Sequence, residues 1–169
     1  MIHIHRLALL ATFIVVAALF ALNSIGDLPE RVATHFTASG AADGWTSRED
    51  YRLFILLSLI TSPSLVVWLM AGLPRLTSGA GQIPNSKYWF APERRHATES
   101  FLSGHAFWLG CMTLAVVYGI HISILRANAT TPPILATERF FTMLVVYLLG
   151  LVWWLAAFLR HFSNTDKQI

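Results

Sequence analysis

The sequence predicts an all-α membrane protein: four transmembrane helices in an antiparallel bundle, with a structured first loop. Three observations carry that expectation. Four apolar stretches, residues 7–22, 53–73, 101–125 and 140–159, run nearly free of charge. Hydrophobic residues make up 55% of the chain and charged residues 12%, whereas soluble domains carry roughly 25% charge. Each stretch also has about the length of helix, ~20 residues at ~1.5 Å of rise, that crosses ~30 Å of hydrocarbon.

The first helix is expected near residues 7–25. Arg6 ahead of it also resembles the start of a signal peptide, with Val16-Ala17-Ala18 as a loose cleavage site. The stretch stays apolar through Leu22, beyond that site, which favours a retained span. His3 and His5 alternate before Arg6 and would share one side only in an extended tail. The second helix is expected near 50–73, with Pro63 removing a backbone donor and kinking it. The third, near 92–126, carries His105, Thr113, Tyr118, His121 and Ser123. Sixteen residues separate its two histidines, about 24 Å along a helix, too far to share a metal. Each is expected near an interface and solvated there; a proton or ligand path is the sharper alternative. The fourth helix is expected near 134–161, with Gly150 allowing close helix contact. Cys111 is the single cysteine, which excludes an internal disulfide; it reads as a small packing residue.

The formal charge of +3 is spread through the connectors and never forms a dense run, so it argues for lipid contact and topology rather than nucleic acid. Arg6, Arg75, Lys87, Arg94, Arg95, Arg160 and Lys167 fall on one side of the membrane; Arg31, Arg48, Arg52, Arg126 and Arg139 fall on the other. That excess places both termini and the 74–91 loop in the cytoplasm, and the 26–49 loop outside.

The first loop is too long for a hairpin turn and mixes turn formers with apolar anchors. Pro29 followed by Glu30 predicts a short helix over 29–36, with Val32 and Phe36 on one face. Residues 37–43 read as a loop, Asp43-Gly44 as a tight turn, and Thr46 or Ser47 as the cap of the second span, with Glu49 and Asp50 in its first turn. His35 and Asp43 come together if the loop folds back. Imidazole and carboxylate then form a candidate ligand or partner surface with Trp45, although structural order is the stronger reading, with His35 hydrogen-bonding the loop and Asp43 capping the turn before Trp45. Trp45 suits the headgroup zone. In the second loop, Tyr88, Trp89 and Phe90 precede Pro92, which suits the start of the third helix. Tyr88, Trp89, Arg94 and Arg95 read as a collar, aromatics in the headgroups and arginines on lipid phosphates, or as a docking surface for a cytoplasmic partner; Arg95 and Glu99 are spaced to pair.

These loops carry a resemblance. Leu28-Pro29, Val32, His35-Phe36, Gly40, Asp43-Gly44-Trp45 and Ser47-Arg48 resemble the signature of a bacterial integral membrane family of unknown function. Its signature domain is similar to the N-terminal domain of SdpI-type immunity proteins. Ile83-Pro84-Asn85, Tyr88-Trp89 and Ala91-Pro92-Glu93-Arg94-Arg95 resemble that family's second-loop segment. Arg48 stands where the family more usually has Lys, and Phe90 where it has Leu. SdpI-type proteins are longer, with a further C-terminal membrane region. The resemblance implies a location in the bacterial cytoplasmic membrane and an immunity or sensing role, in a family associated with sequestering a repressor at the membrane.

No Ser-His-Asp set, HExxH, phosphate-binding Gly-rich loop or paired intramembrane carboxylate appears. No catalytic residue, metal ligand set or cofactor is therefore assigned. The leading expectation is a sensing, immunity or interaction module with the lipid bilayer and a peptide or protein as partners. Alternatives are a small transporter or transporter subunit, which four helices would require to act as a homo-oligomer, and a metal protein or enzyme using His35 and Asp43.

Overall fold

The computed structural model describes residues 4–163. His3 and Lys167 lie outside the described residues. Among the described residues, four helices are long and apolar enough to cross a membrane: Ile4–Ile25, Arg48–Thr77, Pro92–Asn128 and Thr137–Ser163. They correspond to α1 (Ile4–Ile25), a composite second span, α5 (Pro92–Asn128) and α6 (Thr137–Ser163). The second span is α2 (Arg48–Val67), a π-helical turn over Trp68–Gly72, and α3 (Leu73–Thr77). It continues helically through Pro63, and the irregularity falls five residues later, in the π turn. A single turn of helix, α4 (Ser86–Trp89), lies in the second loop.

The span ends follow local chemistry. Ser47 caps α2: its hydroxyl accepts from the Asp50 N–H, with Glu49 and Asp50 in the first turn. Pro92 opens α5, where its missing N–H costs nothing. Within the spans, Thr12, Thr61, Ser64, Thr113, Ser123 and Thr142 donate their hydroxyls to backbone carbonyls one turn back, so no partner from lipid is needed.

α5 is the central helix and packs against α1, α2 and α6. One apolar core joins α1, α2 and α5 to the first loop through Leu10, Ala21, Ile25, Leu28, Val32, Ile55, Leu59 and Leu114. A second gathers Ile83, Trp89, Phe90, Leu102, Trp154, Phe158 and Phe162 at the other end, between the second loop, α5 and α6. Gly150 of α6 does permit close approach: a Cβ there would lie 2.6 Å from Met112 Cε. Cys111 is half-buried and packs against the first core. The outward faces present large apolar side chains, among them Phe54, Trp108, Val146, Val152 and Trp153, as lipid contact demands.

The first loop differs from expectation. Residues 29–36 do not form a helix. They contribute β1 (Arg31–Phe36), paired antiparallel with β2 (Ala42–Ser47). Val32 opposite Thr46 and Ala33 opposite Trp45 fit a pleated, half-buried surface, and the cross-strand pairing outweighs the helix signal of Pro29-Glu30. Asp43-Gly44 lies within β2 rather than at the turn. The chain reverses earlier, where the Thr37 and Gly40 N–H groups bond the Ala41 and Thr37 carbonyls. Gly40 has φ +87°, and a Cβ there would meet the Leu135 carbonyl oxygen at 2.4 Å, so both conformation and space require glycine.

Three anchors fix the hairpin. The Asn128 side chain accepts from the Ala33 N–H at 2.8 Å and donates to the Ala33 carbonyl at 2.9 Å, standing in for a strand partner at the end of α5. The Leu135 N–H bonds the Gly40 carbonyl at 2.9 Å, and Ala41 bridges Ile134, so the first and third connectors form one body. Arg48 donates to the Leu28 and Gly26 carbonyls, tying the α1–β1 link to the start of α2.

Ala33 is fully buried, so Asn128→Ala leaves both of its backbone groups unpaired away from water. The expected cost is about 2–4 kcal/mol. It is read as a lower unfolding midpoint in detergent together with faster amide exchange across β1 and β2.

Candidate functional site

The hairpin displays the residue types singled out in the sequence. Asp43, Trp45 and Ser47 alternate along the exposed face of β2. The His35 ring reaches the same face, where its Nδ1–H donates to Asp43 Oδ1 at 2.5 Å. Two bulges flanking His35 adjust its register, and it lies opposite Gly44. A Cβ on Gly44 would approach His35 Cβ to 2.8 Å, so glycine makes room for the imidazole. Asp43 therefore binds the histidine and does not cap a turn. The side chains of His35 and Asp43 are 75% and 43% exposed, and Trp45 is 47% exposed. Exposed ion pairs add little to stability. The anchors of the hairpin lie elsewhere, in its backbone, Asn128 and Arg48. Among the described residues, no group of three or more His, Cys, Asp or Glu side chains is placed to hold a metal ion.

Beneath the hairpin, a buried polar clasp joins three spans. His121 of α5 is fully buried, contrary to the expectation of a solvated interfacial histidine. Its Nε2 lies 2.9 Å from Ser24 Oγ of α1 and its Nδ1 2.8 Å from the Tyr51 hydroxyl of α2. Ser24 Oγ also lies 2.9 Å from the Phe20 carbonyl oxygen and 3.2 Å from that of Ala21. Both ring nitrogens of His121 therefore have a hydroxyl partner. The Tyr51 ring stacks on the histidine at 5.9 Å, and Phe20 meets its edge at 6.4 Å. Sequence reasoning missed Ser24, Tyr51 and Asn128. Each is ordinary in its own segment, and its partner lies 70 to 97 residues away.

His105 is half-buried at the other end. Its carbonyl accepts from Trp154 Nε1, and its ring continues a stack through Phe101 to His161 and Trp89. The second-loop residues divide. Trp89 and Phe90 are 4% and 8% exposed and belong to the protein core, not to a headgroup collar. Trp89 donates to the Phe162 carbonyl, and its own carbonyl accepts from Thr98, so α4 is bolted to α5 and α6. Tyr88 is half-buried, its hydroxyl is enclosed without a hydrogen-bond partner, and Arg94 lies 4.0 Å over its ring. Arg95 pairs with Glu99 at 2.9 Å, as the spacing predicts, and also bonds the Arg75 carbonyl.

Tyr51→Phe removes one hydrogen bond from the clasp and is expected to cost about 1 kcal/mol; His121→Ala also opens a cavity and strands Tyr51 and Ser24, costing about 2–4 kcal/mol. Thermal unfolding in detergent checks both, and equal effects of the two changes would contradict the network.

No curated protein and no solved structure matches the chain. Residues 11–61, which hold most of α1, the whole hairpin and the first part of α2, match the family model for a domain of unknown function, DUF1648.

Proposed function

We propose that this integral membrane protein is a sensing or interaction module whose hairpin end meets a peptide or protein partner outside the cytoplasm. The observation that carries the reading is the separation of anchoring from display. The hairpin is held by Asn128, Arg48 and the third connector, while His35, Asp43 and Trp45 lie exposed and unneeded for that purpose. A hydrogen-bonded imidazole and carboxylate beside an exposed indole make a suitable recognition patch, because a few anchors, aromatic ones among them, carry most of a binding energy. The family match spans this hairpin, and the resemblance to SdpI-type proteins gives the reading its specific form: immunity or sensing at the bacterial cytoplasmic membrane, with both termini and the 74–91 connector inside.

Three measurements test it. A photo-crosslinking amino acid at position 45, in intact cells, yields a discrete adduct that Asp43→Asn or His35→Ala reduces roughly tenfold while the protein still inserts. The same variants lose protection in a toxin-survival assay. Unchanged adducts and unchanged survival would defeat the proposal. Reporters fused at the C-terminus and within residues 75–90 both report the cytoplasmic side; both reporting the outer side would invert the assignment of the hairpin.

A further inference from the structure

At the end of the bundle opposite the hairpin, a cavity of about 200 Å³ lies among Arg6, Ser64, Trp68, Arg75, Ser103 and Phe107. We propose that it binds the phosphate of an anionic phospholipid. Two guanidiniums meet there on adjacent residues of α5. Arg75, whose side chain is 17% exposed, donates to Ser103 Oγ and to the Glu99 carbonyl. Arg6 occupies the space that a side chain at Gly104 would fill: a Cβ there would lie 2.9 Å from Arg6 Nη1.

Their charge is not balanced. Glu99 is the carboxylate in reach of Arg75, at 3.7 Å, but it binds Arg95 at 2.9 Å. Among the described residues no acidic side chain pairs with Arg6. Among the described residues, Arg75 and Arg95 thus share one carboxylate and Arg6 has none, at the edge of a low-dielectric slab where uncompensated charge is costly. A phosphate oxygen accepting from both arginines would offset it, in the geometry guanidinium groups favour.

The rest of the lining selects a lipid over a freely hydrated ion. Leu7, Val67, Trp68 and Phe107 give the cavity an apolar wall suited to the glycerol and first acyl carbons. Arg6 lies in the first turn of α1, and Arg75 in the last stretch of the second span, the level at which headgroup phosphates sit. The π-helical turn supplies Trp68, Ala71 and Gly72 to the same wall, and such turns recur at functional sites. This site is independent of the hairpin.

The test uses the full chain in nanodiscs of phosphatidylcholine with a minor fraction of phosphatidylglycerol, with co-purifying lipid quantified by mass spectrometry. Phosphatidylglycerol is expected to be enriched, and Arg6→Gln and Arg75→Gln each to lower that enrichment about fivefold. Arg31→Gln, at the hairpin end, leaves it unchanged. Among the described residues Arg6 has no ion pair to lose, so Arg6→Gln remains informative if Arg75→Gln fails to fold. Absence of enrichment, or equal enrichment in Arg6→Gln, overturns the proposal. Equal thermal protection by inorganic phosphate and by phosphatidylglycerol in neutral detergent would assign the cavity to a soluble anion and overturn the lipid assignment.

Discussion

Hydrocarbon offers a peptide group nothing to bond with, and every departure from helix in this protein is arranged around that constraint. The spans satisfy their own backbones, and their hydroxyls turn back onto their own carbonyls. The described strands lie where the spans end. Even there, β1 is partly enclosed, and Ala33 has no neighbouring strand on its inner side. The Asn128 amide supplies the missing donor and acceptor from a helix terminus. The third connector does the same for the hairpin turn through Leu135. The cap is thus hydrogen-bonded continuously to the bundle.

Polar groups are used in two different ways at this end of the molecule. His121, Tyr51 and Ser24 are committed to one another inside the protein, where an unmade hydrogen bond would be expensive. His35 and Asp43 also bond to each other, but in the open, where the contact is weak and easily exchanged for another. The opposite end has its own division. Trp89 is locked into the second core, while the arginines around Glu99 remain in charge excess.

Much of this was legible because it is local. The spans follow from segment length and apolarity, the Ser47 cap and the Pro92 start from a few adjacent residues, and the Arg95–Glu99 pair from helical spacing. The closeness of His35 and Asp43 was readable as a consequence of any fold-back. The hairpin was hidden because Pro29-Glu30 imitates a helix start and because two bulges break the alternation that marks a strand. The burial of Trp89 was hidden for a related reason. Aromatics beside a span look the same whether they face headgroups or α6, and only tertiary packing decides. Asn128 and the clasp needed contacts between distant segments, which no local pattern encodes.

The π turn at Trp68–Gly72 also sets the angular phase of everything after it. Each residue turns an α-helix by about 100°, and the wider turn accommodates one residue more than regular winding would. Excising a single residue there would rewind Leu73–Thr77 onto another azimuth and swing Arg75 away from Ser103. A backbone irregularity one turn long therefore acts as the aiming device for a positive charge.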